Sequence, residues 1–507
     1  MPALHSLDES EVHVKTIGIV FLAALLGTSL ANAQTCFYRF AEVESLAPSN
    51  PASGAAFGSD VVADGDRMAI GAYGAPAAGG GASGAVYVFE LQSGSWVESA
   101  RIESPVTVDG DFGISVDLDG DRLIVGASSQ PLGALAGVGA IFVFDRAGSA
   151  WNYTATLLPS NPQQYDSLGS NLSLSGDTIV APAGDDSIHV FRRSAGSWSE
   201  DVVIQASDVH AFSPVDLDGP GLFAVGEGTP SKEITVFQEL SPGVWVPLTS
   251  VNARVSHFSL DLHEGVLAYY SAQSVVKLHD VGTNMEIASY LFPIGDYTLE
   301  DIAYDGARLV ATKDTQAFAY LNLGTPEQYL AELSPTEPGI GQRVVAELTP
   351  NGVVTAHGFA STGGLVNNGA VYSFVPVYPI ETYGSGCAGA GGFTPTLSAD
   401  GCVATPTPDF NLRIQNGPGG ASALLMAGLT RAMVPIGVTG CSWYVSPIIP
   451  LGFVTLSGSG NGNGQFTLNI TGYGVTGMGH LVFQAAVVDP TVTKGFTTTN
   501  GVDLHFH

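Results

Sequence analysis

Residues 57–72 read FGSDVVADGDRMAIGA and residues 112–127 read FGISVDLDGDRLIVGA, identical at nine of sixteen positions. A chain that writes one sentence twice, 55 residues apart, is building the same unit twice. Weaker copies begin at Leu168 (LGSNLSLSGDTIVAPA), Phe212, Phe258, Leu299 and Gly341, which makes seven. Most are followed by an alternating apolar run such as GAVYVF at 84–89, GAIFVF at 139–144 or GAVYSF at 369–374. The fifth and sixth runs, SVVKLHD and AFAYLN, are degraded. Trp96, Trp151, Trp198 and Trp245 recur just after these runs, 55, 47 and 47 residues apart. An aromatic at an equivalent place in each unit is expected to pack on its own sheet rather than to stack on a ligand.

Short runs of Val, Ile, Thr, Tyr and Phe between Gly, Asp and Ser clusters, with no helical periodicity after residue 34, give an all-β chain. A period in the forties with four short strands per unit predicts a β-propeller, in which repetition around an axis protects the strand edges. The chain resembles the FG-GAP repeat family of integrin-α-type seven-bladed propellers. Phe57-Gly58, Phe112-Gly113, Ile70-Gly71-Ala72, Val125-Gly126-Ala127 and Gly74-Ala75-Pro76 carry the likeness.

In the calcium-binding members of that family, alternate acids, a Gly and a later Asp wrap one ion. Asp117, Asp119 and Asp121 have the alternate spacing. Arg122 stands where the Gly belongs and no closing acid follows, so calcium is the weaker reading of these three residues. The stronger is a hairpin, with Asp64-Gly65 and Asp119-Gly120 as type I′ turn pairs capped by their acids.

The propeller is expected over residues 34–375. The seventh copy has no Trp-bearing strand after it, whereas CFYRFAEVESL precedes the first copy without a partner. An open edge on the last blade invites aggregation, so residues 37–45 are expected to pair antiparallel with 369–377 and close that blade. Residues 376–386 have the Pro/Gly content of a linker. Residues 387–507 hold six or seven short strand-like runs between Gly, Asn and Pro turns, which predicts a small β-sandwich. YGSGC, GCSWYVSP and GFTTTNG resemble a C-terminal domain of exported planctomycete-type proteins, and its terminal position suggests surface attachment or sorting.

Lys15, the apolar run IGIVFLAALLGTSL and Ala31-Asn32-Ala33 read as a secretory signal peptide over 1–33, too short for a membrane span. The chain is therefore expected to be secreted or displayed at the cell surface. Net charge is −30, and the leader holds three acids against Lys15. From Tyr383 onward four acids face three bases, so the acidity belongs to the propeller. Such a surface repels nucleic acid. The even set Cys36, Cys387, Cys402 and Cys441 suggests two disulfides, with three connectivities open and a Cys36–Cys387 staple among them.

No nucleophile elbow or H-E-x-x-H occurs, and no cofactor is implied. The expectation is a non-enzymatic binding or adhesion protein whose loops contact an extracellular protein or polysaccharide. The alternative is a propeller-based extracellular hydrolase, lyase or quinone-dependent enzyme, whose residues would come from separate blades.

Overall fold

The structure is a computed structural model. It describes residues 36–505 except 78–83, 228–232, 254–259, 273, 294–300, 314–315, 322, 325–328, 334–343, 351, 363–364, 378–379, 390, 403–408, 437–440 and 472–479. The expected signal peptide lies outside the described residues. All regular elements among the described residues are strands.

Each copy of the repeat forms a four-stranded antiparallel sheet. In the first, Val61–Asp64, Arg67–Ala72, Ala85–Gln92 and Ser95–Glu103 lie side by side in chain order. The same order recurs up to the sheet that runs from Asp301–Tyr304 to Tyr329–Leu333. The innermost strands of successive sheets touch in order, Val61–Asp64 to Val116–Asp119 to Ser173–Ser175 and onward to Val345–Thr349. The last of these returns to the first, which closes the circle of a propeller. The degraded runs at 275–280 and 316–321 still form the third strand of their sheets. Both keep buried apolar residues, Val276 and Leu278 in one and Ala317 to Leu321 in the other, without the Gly-aromatic signature.

Why Phe-Gly and Gly-Ala repeat is visible at the seams between blades. Phe57 and Phe112 are buried, each against a Tyr or Phe of its own sheet (Phe57–Tyr87 5.4 Å, Phe112–Phe142 5.6 Å). A Cβ on Gly71 would lie 2.1 Å from the Gly113 carbonyl oxygen, and one on Gly126 2.0 Å from that of Gly169. The glycine next to the end of one blade's second strand is thus the space into which the next blade's Phe-Gly backbone fits. Ser59 Oγ donates to the Gly113 carbonyl (2.9 Å) and Ser115 Oγ to that of Gly169 (2.7 Å), which pins the same contact.

Trp96, Trp151, Trp198 and Trp245 all lie in the outermost strands of their blades. Trp96 is buried in the first core, Trp245 packs on Phe223 at 5.0 Å, and Trp198 lies under the Arg122 guanidinium at 5.2 Å. The hairpin turns differ from expectation by one position. Pairing closes at Asp64↔Arg67 and Asp119↔Arg122, so the turn residues are Gly65-Asp66 and Gly120-Asp121. Only the Gly of each pair has positive φ (59° and 58°), the pattern of a type II′ turn rather than type I′. Positive φ at both positions occurs instead at Glu264-Gly265.

Cys36–Leu46 is the outermost strand of the last blade. It runs antiparallel to Ala370–Val377 from Arg39↔Val377 to Leu46↔Val371, with a bulge between Glu42 and Glu44. Its other edge pairs in parallel with Tyr329–Glu332 of the preceding blade, so two blades merge into one eight-stranded sheet.

The C-terminal part has a larger sheet built on Ser422–Gly428, His480–Val488 and Gly501–His505, and a smaller one of Thr396–Cys402, Asp409–Gly417 and Gly464–Thr471. Leu397, Phe410, Leu412 and Ile414 of the smaller sheet share a core with Leu425, Phe483, Val487 and Leu504 of the larger, which is a β-sandwich. The expected linker is corrected: within 376–386, Ile380–Tyr383 is a strand of the sandwich, paired with Gly501–Leu504. Alternating Ile380 and Thr382 supply that edge, and the Pro/Gly count alone hides it. The Cys36–Cys387 staple is also corrected, because Cys387 is bonded to Cys441 with Cα atoms 4.9 Å apart. The side chains of Cys36 and Cys402 lie outside the described residues.

Candidate functional site

Inner strands present alternate residues to the propeller axis, and in this chain many of those residues are acids. Asp60, Asp117, Asp216, Asp261, Asp301 and Glu347 come from six of the inner strands or their first residues. Each of the five aspartates accepts a backbone N–H from the following blade: Val116 to Asp60 (2.8 Å), Leu174 to Asp117 (2.6 Å), Leu262 to Asp216 (2.6 Å), Tyr304 to Asp261 (2.7 Å) and Ala346 to Asp301 (2.8 Å). A second tier does the same at the turns. Asp64, Asp119 and Asp218 accept from the N–H groups of Gly120, Gly176 and Gly265 at 2.5–2.6 Å. Arg67 and Arg122 donate to the Gly120 and Gly176 carbonyls (2.7 and 2.6 Å).

The repeated acids therefore bind each blade to its neighbour. The sequence suggests that they cap their own turns, whereas they cap the next one. Asp117, Asp119 and Asp121 do not converge: the first two hold Leu174 and Gly176, and Asp121 pairs with Arg67 at 3.0 Å. Among the described residues no three His, Cys, Asp or Glu side chains are grouped to hold a metal ion.

Crowding many carboxylates around one axis raises their proton affinity. Burial pushes Asp117 up to about 7 against the pull of two backbone N–H bonds, with the charges of Asp216 and Asp60 adding to the rise. Asp261 stands well above the usual carboxylate range through burial and then the charge of Asp216. Glu347 does too, through burial and then the charges of Asp261, Asp301, Asp117 and Asp60. That one glutamate feels acids from four other blades shows that the set faces a common space. The signal that could have found these residues is an acid recurring in or just before the inner strand, a few places ahead of its turn.

A second feature lies away from the axis. A half-open cleft of about 750 Å³ is walled by residues 160–167 between the second and third blades and by His210–Phe212 between the third and fourth. Its floor is Ser187, His189, Val203 and Gln205, from the outer two strands of the third blade. The wall is held from behind by backbone bonds: Tyr165 N–H to the Ala136 carbonyl (3.0 Å), Ser167 to Gly137 (2.9 Å), Gly184 to Asp166 (2.6 Å) and Ala211 to Gly184 (3.2 Å). Ser160 N–H donates to Glu200 at 3.2 Å. His189 Nδ1 lies 2.5 Å from Glu200 Oε1 and its Nε2 lies 3.3 Å from Ser187 Oγ. No sequence motif announces this cleft, because its residues come from two connecting loops and the faces of two strands.

Comparison with known proteins adds a family signature and little more. Residues 40–89 match the FG-GAP repeat, the segment that spans the first copy of FG and its Gly-Ala strand. No curated protein matches the chain. Among solved structures, one chain of the "Crystal Structure of Mitotic Checkpoint Complex" aligns with 72% of this chain and 100% of its own length. The identity is 13% and the TM-score 0.46.

Proposed function

We propose that this is an exported seven-bladed FG-GAP propeller that binds an extracellular ligand without transforming it, with its C-terminal sandwich serving attachment or sorting. The observation that carries the reading is the cleft at the third blade. It is built on connecting loops, where propellers are free to vary, and its shape is held by hydrogen bonds of the protein itself. The axial carboxylates are engaged in joining blades, which assigns them to the scaffold. The test is retention of the labelled chain on washed producing cells and their extracellular material. Retention that is saturable, and that falls when Tyr165 and Phe212 are both changed to Ala, supports the reading; retention indifferent to the cleft refutes it.

One observation favours a second reading, an ester hydrolase. Ser187, His189 and Glu200 are ordered as nucleophile, base and orienting acid. It ranks second because Ser187 Oγ donates its proton to the Ala183 carbonyl rather than to His189. Covalent labelling by a fluorophosphonate, lost in Ser187→Ala, would reverse that order.

A further inference from the structure

Resting on the binding reading above, we infer that the cleft at the third blade is a site for a neutral oligosaccharide segment. Three features of the lining point to one class of ligand. The first is aromatic: Tyr165 and Phe212 stand at the rim 69% and 61% exposed, whereas most large aromatics of the propeller are buried. A sugar ring has an apolar C–H face that lies flat on such a ring and recovers the apolar contact that water denies it.

The second is the polar set. Asn161, Gln163, Gln164 and Gln205 bring planar amides, each with donors and acceptors side by side, and Asp166 adds a carboxylate. Gln163 Nε2 donates within the wall to Asn161 and Pro162, and vicinal hydroxyls, each both donor and acceptor, match the amides of Gln164 and Gln205. The third is charge. No Lys or Arg lines the cleft, and the chain as a whole carries −30. Uronate or sulfated glycans would meet repulsion with no cation to receive them.

The backbone that carries Tyr165 is a feature of the repeat: Tyr165 and Ser167 have positive φ of 67° and 51° and bond to Ala136 and Gly137, as Gly54 (78°) and Ala56 (52°) bond to Val366 and Asn367 before the first FG. At this copy the place of Gly54 is taken by a tyrosine, which sets its ring at the rim of the cleft.

The experiment is calorimetric titration of the full chain with neutral gluco-, manno-, galacto- and xylo-hexasaccharides, and with a sulfated and a uronate oligomer as charged probes. At least one neutral oligomer should bind. Tyr165→Ala and Phe212→Ala should each weaken it by about tenfold or more at unchanged melting temperature. Tyr153→Ala, on an exposed aromatic of the second blade's outermost strand, should leave it unchanged. Tyr165→Trp, which keeps a ring, should retain binding. Absence of binding by all neutral oligomers, tighter binding of a charged one, or affinity indifferent to both Ala variants would overturn the inference. If retention on extracellular material still depends on Tyr165 and Phe212 in that case, the binding reading stands and only the ligand class falls.

Discussion

Replacing a strand glycine by alanine normally stabilises a protein by about 0.5–1 kcal/mol, because alanine has less backbone freedom to lose on folding. Gly126→Ala should do the opposite. Gly126 is the last residue but one of the second strand of the second blade, and its φ is not among the positive ones, so backbone strain does not enter. The obstacle is spatial: its Cβ would sit 2.0 Å from the Gly169 carbonyl oxygen and 2.2 Å from Ser115 Oγ. Reaching even 3.0 Å from that carbonyl requires the third blade to retreat by about 1 Å, or the strand to twist away from its own sheet. Overpacking of this kind costs about 1–3 kcal/mol. Loss of the Ser115–Gly169 bond, made at 2.7 Å in a buried seam, adds about 1 kcal/mol. Set against alanine's usual gain, the expected net loss is about 1–3.5 kcal/mol, read as a lower urea midpoint with an unchanged slope. Gly148→Ala is the control, since that residue has φ 66° and nothing within 4 Å of its would-be Cβ. It should show backbone strain alone, about 1 kcal/mol. If Gly126→Ala is neutral or stabilising, or costs less than Gly148→Ala, the seam does not work as described.

Three further outcomes are expected. Asp117, Asp216, Asp261 and Glu347 hold protons more tightly in the fold than in the open chain; that contribution is complete below the ordinary carboxylate range and is lost as pH rises through the folded values, about 7 for Asp117. Thermal stability should fall between pH 5 and pH 8 on this account, and Glu347→Gln should flatten the fall; a profile identical in variant and wild type would refute the coupling. His357, held down to about 4 by burial, works in the other direction, with stability present above its ordinary value and lost toward pH 4, so His357→Gln should blunt the acid limb of the same melting curves. Reduction of Cys387–Cys441 closes no loop in the propeller, so it should lower the melting of the sandwich and leave propeller unfolding unmoved, checked by calorimetry with and without reductant.

The architecture was legible because it is written locally. An alternating strand, a Gly turn and a Trp at constant offset each follow from neighbours in the chain, and the first four copies keep them. The interactions that hold the copies to one another were not legible in this way. Asp117 and Leu174 are 57 residues apart, and nothing in either neighbourhood says that one receives the other's N–H. The same holds for the cleft, where Tyr165 and Phe212 line one space and Gly184 is hydrogen-bonded to both of their loops. The strand at Ile380–Tyr383 was hidden for a related reason, since its partner lies at the far end of the chain. Asp119 shows the limit well: its spacing invites a calcium loop, its turn invites a cap, and its partner belongs to another blade.

The strand Cys36–Leu46 is made early in synthesis, while its antiparallel partner Ala370–Val377 comes more than 300 residues later. Until that partner emerges, the blades are a row with two loose ends, and closing so long a loop costs about 5 kcal/mol of chain entropy. The ring is thus completed late, and a chain halted before Ala370 leaves the antiparallel edge of Cys36–Leu46 unpaired, with only its parallel pairing to Tyr329–Glu332 available. For a protein built of repeats that can fold one after another, this converts a gradual process into one with a definite finish. Truncated products keep that edge available for pairing with other chains, and the strand Ala370–Val377 covers it.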